Sequence, residues 1–331
     1  MKFNNTKSLQ QFILLGILIL FSLVMALLSE DFFTVTNITN LIRQQSMVAI
    51  AAAGATFIMI TCGLDISVGS TLALSGVVFA LLVQGGIPIL LAAILAVVSG
   101  GIIGSLNAAM IVGAKINPVI ATLGTMYAVR GIAYLLADGQ AVVNGLPLEF
   151  MNLGRGYIGF LPIPVLILLI IYVVFGFILS KTLLGKYTYA IGGNIETARL
   201  SGIPVKKVMF SLYVIVGLLT GLSGVIMASR LNSGNPQIGQ GFEFDVIIAV
   251  FLGGVSVKGG EGSLTGTLIG TMIVGVLSNG LNLLGVNAFY QYIIKGVVLV
   301  LAVMVDMTLK GNGINFKGLL KNVQRGGSVN G

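Results

Sequence analysis

The feature that most limits how this chain can fold is a series of long, uninterrupted apolar runs. The first fills residues 9–28, between Lys7 and Glu30, without a charged side chain. A helix needs about 20 such residues to cross the hydrocarbon core of a bilayer. Similar runs recur to residue 309, and they are continuous rather than alternating, which argues against a membrane barrel. Only 8% of the 331 residues are charged, where a soluble chain carries about a quarter. The pattern predicts an all-α polytopic membrane protein, one transmembrane domain over residues 1–331.

Spans are expected near 9–28, 41–62, 70–84, 87–113, 116–137, 162–180, 205–229, 244–257, 264–285 and 289–309, ten in all. The third and eighth are short, which suits broken, tilted or re-entrant segments. The first run follows Lys2 and Lys7 as a signal peptide would, but it is long and has no small-x-small cleavage site, so it reads as a span. Pro88, Pro118, Pro162, Pro164 and Pro204 stand at expected helix starts, where a missing N–H costs nothing.

Ten spans with the N-terminus inside put thirteen of the 18 basic residues in the cytoplasm: Lys2, Lys7, Lys115, Lys181, Lys186, Arg199, Lys206, Lys207, Lys258, Lys310, Lys317, Lys321 and Arg325. Outside loops keep only Arg155 and Arg230, together with Glu30, Asp31, Asp138, Glu149 and Glu243. This is the positive-inside asymmetry, with both termini cytoplasmic in a bacterial inner membrane. The net charge of +8 is thus a mark of the inner face and no sign of a nucleic-acid partner. The longest outside segment, 138–161, reads either as a connector or as a docking surface for an external partner.

One cysteine, Cys62, and no histidine exclude an internal disulfide, a His-based metal site and a Ser/His/Asp triad. There is no G-x-x-x-x-G-K-[ST], so no ATPase of the P-loop kind, and no cofactor motif. The chain reads as a transporter component rather than an enzyme.

Tyr127-x-x-Arg130-Gly131 recurs as Tyr292-x-x-Lys295-Gly296, and Gly104-Ser105-Leu106-Asn107 resembles the run from Gly275 to Asn279. Such elements lie five spans apart, so the copies cross in opposite directions, the inverted-repeat plan of many transporters. Matching positions suggest a shared structural task for Arg130 and Lys295. Asp65 is either a cap for the helix beginning near Ser67 or an ion site in the membrane, and Ser67 and Ser70 are pathway candidates. Asn107, Asn279 and Asn282 read as interhelical hydrogen bonds or caps near span ends.

Residues 181–207 form a basic cytoplasmic loop with a single acid, Glu196. Asn194 is a good N-cap, Glu196 suits the first turn, Gly202 can end the helix and Pro204 prevents its continuation. One short helix is therefore expected within 194–202, comprising Ile195, Glu196, Thr197, Ala198, Arg199, Leu200 and Ser201.

Three blocks of residues resemble the permease subunit of ribose-type ABC importers, a family serving ribose, xylose, other monosaccharides and autoinducer-2. They are the run from Gly63 to Ser70; Gly185-Lys186-Tyr187 with Ala190 to Asn194 and Thr197 to Ile203; and the run from Leu252 to Gly285. The resemblance implies two permease copies, two cytoplasmic ATP-binding cassette subunits that consume ATP, an external sugar-binding protein, and a coupling helix at Asn194 to Gly202. Cys62-Gly63-Leu64 departs mildly from the family pattern. Two other readings remain: an ion-coupled secondary transporter using Asp65, and a permease for branched-chain amino acids.

Overall fold

The computed structural model describes residues 2–307, and for 2–10, 305 and 306 the backbone alone. Lys310, Lys317, Lys321 and Arg325 lie outside the described residues, as do the side chains of Lys2 and Lys7 and the end of the expected span 289–309. The helices in chain order are α1 (Lys2–Leu28), α2 (Val35–Ile60), α3 (Val68–Gln84), α4 (Ile89–Ala108, prolonged by a π-turn at Ala109–Gly113), α5 (Pro118–Leu136), α6 (Asn152–Arg155), α7 (Ile163–Lys181), α8 (Leu183–Gly193), α9 (Ile195–Leu200), α10 (Val205–Leu231), α11 (Phe242–Leu252), α12 (Leu264–Leu283) and α13 (Ala288–Met307). Two-residue strands β1 (Tyr157–Ile158) and β2 (Leu161–Pro162) pair antiparallel.

Seven of these helices are long and apolar enough to cross a membrane: α1, α2, α4 with its π-turn, α5, α7, α10 and α12. Of the ten expected spans, the third and eighth are the ones expected to be short, and the helices found there, α3 and α11, are short. α3 and the apolar part of α13 are shorter, and α11, with 11 residues, rises only about 16 Å, half the hydrocarbon core of about 30 Å. The expected eighth span, 244–257, is cut short because Gly253 and Gly254 follow Leu252, with Gly254 in the left-handed region at φ +85°.

α2 and α10 form the centre and run antiparallel. Ser223 Oγ donates to the Met47 carbonyl (2.9 Å), and Gly54 packs on Val216. α10 also covers α3 and α4, while α2 covers α12 and α11. α3 in turn packs on α5, and α11 on α13. The packing thus relates α2–α5 to α10–α13 in opposite directions, as an inverted repeat requires. α1 packs on α12 and α7 on α2, outside that relation. Gly100 and Gly104 of α4 meet Gly217 and Gly221 of α10 backbone to backbone. In lipid, such close approach replaces the hydrophobic effect as the source of helix association.

Segment 232–241 does not lie on the surface between α10 and α11. Gly234 packs on Gly76 and Ala80, and Gly239 on Gly69 and Leu72, so the segment runs back along α3. α11 then starts beside Gly69 in the first turn of α3, about 22 Å from the far end of that helix at 1.5 Å per residue. The eighth pass is therefore a non-helical, turn-rich stretch followed by a half-length helix. Residues 138–161 are similarly ordered: Val142 bridges to Gly234, Leu148–Met151 is a 3-10 turn, and buried Phe150 stacks on Phe79 at 4.5 Å.

Candidate functional site

At the end of the bundle opposite segment 138–161, the expected single helix of residues 181–207 is corrected to two. Thr182 Oγ1 accepts from the Gly185 N–H (3.5 Å), and Leu184, Thr188 and Ile191 repeat at helical spacing on the inner face of α8. The α9 boundaries are those of a capped helix. Asn194 Oδ1 accepts from the Thr197 N–H (2.8 Å). Gly202, at φ +80°, donates to the Arg199 carbonyl and Ile203 donates to that of Ala198 (both 3.1 Å). These two bonds are the glycine-terminated C-cap. Ser201 Oγ bonds back to the Thr197 carbonyl (2.8 Å). Ala198 is buried, whereas Ile195, Glu196, Arg199 and Leu200 face outward, Leu200 at 83% exposure. Glu196 and Arg199 pair at 3.1 Å in solvent.

The C-terminal end of α8 is wedged between two turns. Gly192 packs on the Ile60 carbonyl and on Gly260, whose N–H donates to that same Ile60 oxygen (2.8 Å). Cys62 Sγ lies 2.9 Å from the Lys258 carbonyl, and Tyr189 Oη donates to the Gly262 carbonyl (2.8 Å). The turn after α2 belongs to one repeat and the turn after α11 to the other. α8 thus bears on both halves at once.

Beside that contact lies Asp65, buried at 6% exposure. Its Oδ1 accepts from the N–H and Oγ of Ser67 (2.8 and 2.6 Å), and its Oδ2 from Asn107 Nδ2 (3.2 Å). Asn107 Nδ2 also donates to Ser67 Oγ (2.9 Å), and Tyr213 Oη reaches the Leu64 carbonyl (3.4 Å). The carboxylate stitches its own turn to α4. Burial holds the Asp65 carboxyl above the usual range, against the lowering effect of these hydrogen bonds. Ser67 is the N-cap residue of α3 without a side-chain cap bond, and Ser70 Oγ bonds back to the Ser67 carbonyl (2.8 Å). Asn279 and Asn37 exchange reciprocal amide bonds (2.9 and 2.8 Å) between α12 and α2, and Asn282 accepts from Gln291 (2.8 Å).

A third group surrounds the start of α11. Arg130 Nη1 donates to the carbonyls of Pro236 and Ile238 (both 2.6 Å), in the non-helical segment before α11. Those oxygens lie within the bundle, where unpaired backbone is costly. Lys295 pairs instead with Asp245 on α11 (2.7 Å). The two repeat-related cations thus take different partners, backbone carbonyls for Arg130 and a carboxylate for Lys295, both near the start of α11. Glu243, expected in an outside loop, is 8% exposed, packs against Gly69 and feels the charge of Arg130. Sequence reasoning passed over Glu243 and Asp245, although an acid within Phe244-Asp245-Val246-Ile247 is the kind of intramembrane charge that marks function. Arg130, Glu243, Asp245 and Lys295 form a charged belt around the unwound segment, and the helix pair and Asp65 lie elsewhere.

The family model described as branched-chain amino acid transport system / permease component matches residues 37–303. The chain is 42% identical over 293 residues to the ribose import permease protein of Bacillus subtilis (strain 168), covering 88% of this chain and 91% of the relative. It is 41% identical over 309 residues to the ribose import permease protein of Escherichia coli (strain K12), covering 92% and 95%. It is 38% identical over 294 residues to the L-arabinose ABC transporter permease protein of Azospirillum brasilense, covering 88% and 86%. No solved structure matches the chain.

Proposed function

The chain belongs to the branched-chain amino acid transport system / permease component family, and from that premise we propose that it is the membrane-spanning subunit of an ATP-driven importer for a monosaccharide such as ribose. The observation that carries the mechanism is the seating of α8 on turns from both halves. A separate ATP-binding cassette subunit docks on the outward face of α9, through Ile195, Glu196, Arg199 and Leu200. α9 is short and capped at both ends, so it moves as a unit with α8. That movement displaces the turn after α2 against the turn after α11, and packed helices convert the displacement into reorientation of the halves.

The helix pair then lies in the cytoplasm and segment 138–161 outside, where a sugar-binding protein delivers solute to a pair of permease copies. A neutral sugar needs hydroxyl, amide and backbone groups rather than a counter-ion, and the interrupted α10–α11 region supplies backbone groups at depth. The sugar class follows the ribose and arabinose relatives, and branched-chain amino acids, named in the family description, are the alternative cargo. The ion-coupled reading has less support, since both Asp65 oxygens already accept hydrogen bonds.

Co-purification with the ATPase and the binding protein, followed by reconstitution in liposomes, tests the proposal. ATP-dependent uptake of labelled ribose or a related monosaccharide is expected. Uptake by this chain alone under a Na⁺ or H⁺ gradient overturns it, and ATP-dependent uptake of leucine but no sugar replaces the cargo.

A further inference from the structure

Arg155 and Arg230, the two basic residues that break the charge asymmetry, converge with Arg43 on one spot at the 138–161 end. Arg43 lies near the start of α2, Arg155 ends α6 and Arg230 is in the last turn of α10. Arg43 Nη2 donates to the Arg155 carbonyl (3.4 Å), and Arg155 Nε to the Arg230 carbonyl (2.6 Å). The Gly154 N–H donates to Ser229 Oγ (2.7 Å), which holds α6 against α10. The charges of Arg43 and Arg155 both repel that of Arg230. Arg43 is only 9% exposed, its Nε has no partner, and its guanidinium sits 4.8 Å from the Tyr157 ring centroid. The two ion pairs among the described residues, Glu196–Arg199 and Asp245–Lys295, lie elsewhere.

Three guanidinium groups, one of them buried, gathered without an acid are unfavourable unless an anion joins them. The surroundings identify its source. The β1–β2 hairpin next to Arg155 exposes Tyr157, Ile158 and, at 93%, Phe160. It leads directly into α7, an apolar helix that leaves most of its surface uncovered by the rest of the chain. Exposed aromatic residues at the head of a lipid-facing helix mark the boundary between acyl chains and water. Guanidinium groups there match the planar geometry and charge of phosphate. We infer that Arg43, Arg155 and Arg230 form a site for the phosphate of a phospholipid headgroup, with the hairpin resting among the acyl chains.

The full chain, purified in detergent, is exposed to phosphatidylglycerol and read by native mass spectrometry and by thermal melting in nanodiscs of phosphatidylcholine with and without phosphatidylglycerol. Wild type is expected to retain phosphatidylglycerol and melt higher in its presence. Arg155→Gln, at an exposed position, is expected to weaken retention about tenfold or more, the effect of losing a charged hydrogen bond, while its melting temperature without phosphatidylglycerol stays near that of wild type. Lys181→Gln, far from the cluster, leaves retention unchanged. Equal retention by wild type and Arg155→Gln overturns the site. So does displacement of the lipid by millimolar inorganic phosphate, which makes the ligand a free anion. Binding of an acidic external protein that is lost in Arg155→Gln while lipid retention persists also overturns it.

Discussion

Asp65 shows how one residue type can be read in two ways until its partners are seen. Its carboxylate accepts three hydrogen bonds and ties the turn after α2 to α4. Asp65→Leu strands the donors of Ser67 and Asn107, with an expected loss of about 1–3 kcal/mol in chemical or thermal melts. Asp65→Asn is milder, because Asn107 Oδ1 has no partner and can turn to accept from the new amide. The pH dependence has a definite sign. Burial raises the Asp65 carboxyl, so the folded chain holds its proton to higher pH than the unfolded chain. This contribution to stability is full below about pH 4 and is lost as pH rises through the raised value. Melts from pH 4 to 8 should show that slope in wild type and its absence in Asp65→Asn. Arg130→Gln probes the other site: it leaves the Pro236 and Ile238 carbonyls short of a charged donor, and uptake is expected to fall about tenfold. Unchanged uptake would separate the belt from transport.

Among the elements, α9 was legible from sequence because both ends carry chemistry of their own: an Asn cap, a Gly in a left-handed turn and a Pro beyond it. α8 was not. Its Gly192-Gly193 end and Lys186, within a basic stretch, read as a loop, and only the fit of Gly192 against Ile60 and Gly260 explains why glycine is required there. A Cβ at Gly192 overlaps the Ile60 carbonyl, so Gly192→Val should unseat α8 and lower the melting temperature by several degrees, given the usual overpacking cost of about 1–3 kcal/mol. Ala198→Pro removes the N–H that donates to Asn194 (3.0 Å) and breaks α9 at a local cost of about 3 kcal/mol. The expected phenotype is continued ATP hydrolysis by the assembled complex with uptake lost, measured side by side in liposomes. Glu196→Lys alters only the outward face, since an exposed pair such as Glu196–Arg199 contributes about 0–1 kcal/mol. Its effect therefore reports docking rather than folding.

For the whole molecule, the relation between α2–α5 and α10–α13 places the helix pair at a seam. If the seam opens during transport, joining its two sides should stop the cycle. Cys62 is exposed and adjacent to Lys258, so Lys258→Cys provides a pair that a short thiol crosslinker can bridge. Crosslinking is expected to abolish ATP-driven uptake, and cleavage of the linker to restore it. Full uptake in the crosslinked protein would mean that these turns travel together and that the lever acts elsewhere.

What the sequence determined by itself is the class of the molecule, an all-α protein of many membrane-spanning helices. Apolar runs of membrane length permit only spanning helices, because every backbone group in hydrocarbon must find its partner within the segment. Capping residues then delimit α9. The tertiary structure alone decided that α8 is a helix, that the eighth pass is helical only in its second part, and that Glu243 and Asp245 lie inside the bundle with Arg130 and Lys295. It alone gathered Arg43, Arg155 and Arg230. The reason is physical. Lipid tails and protein interior are equally apolar, so the sequence pattern of a spanning helix scarcely distinguishes the face turned to lipid from the face turned to its neighbours. Where charged and unwound segments end up is settled by which helices pack together, and that is information between segments rather than within them.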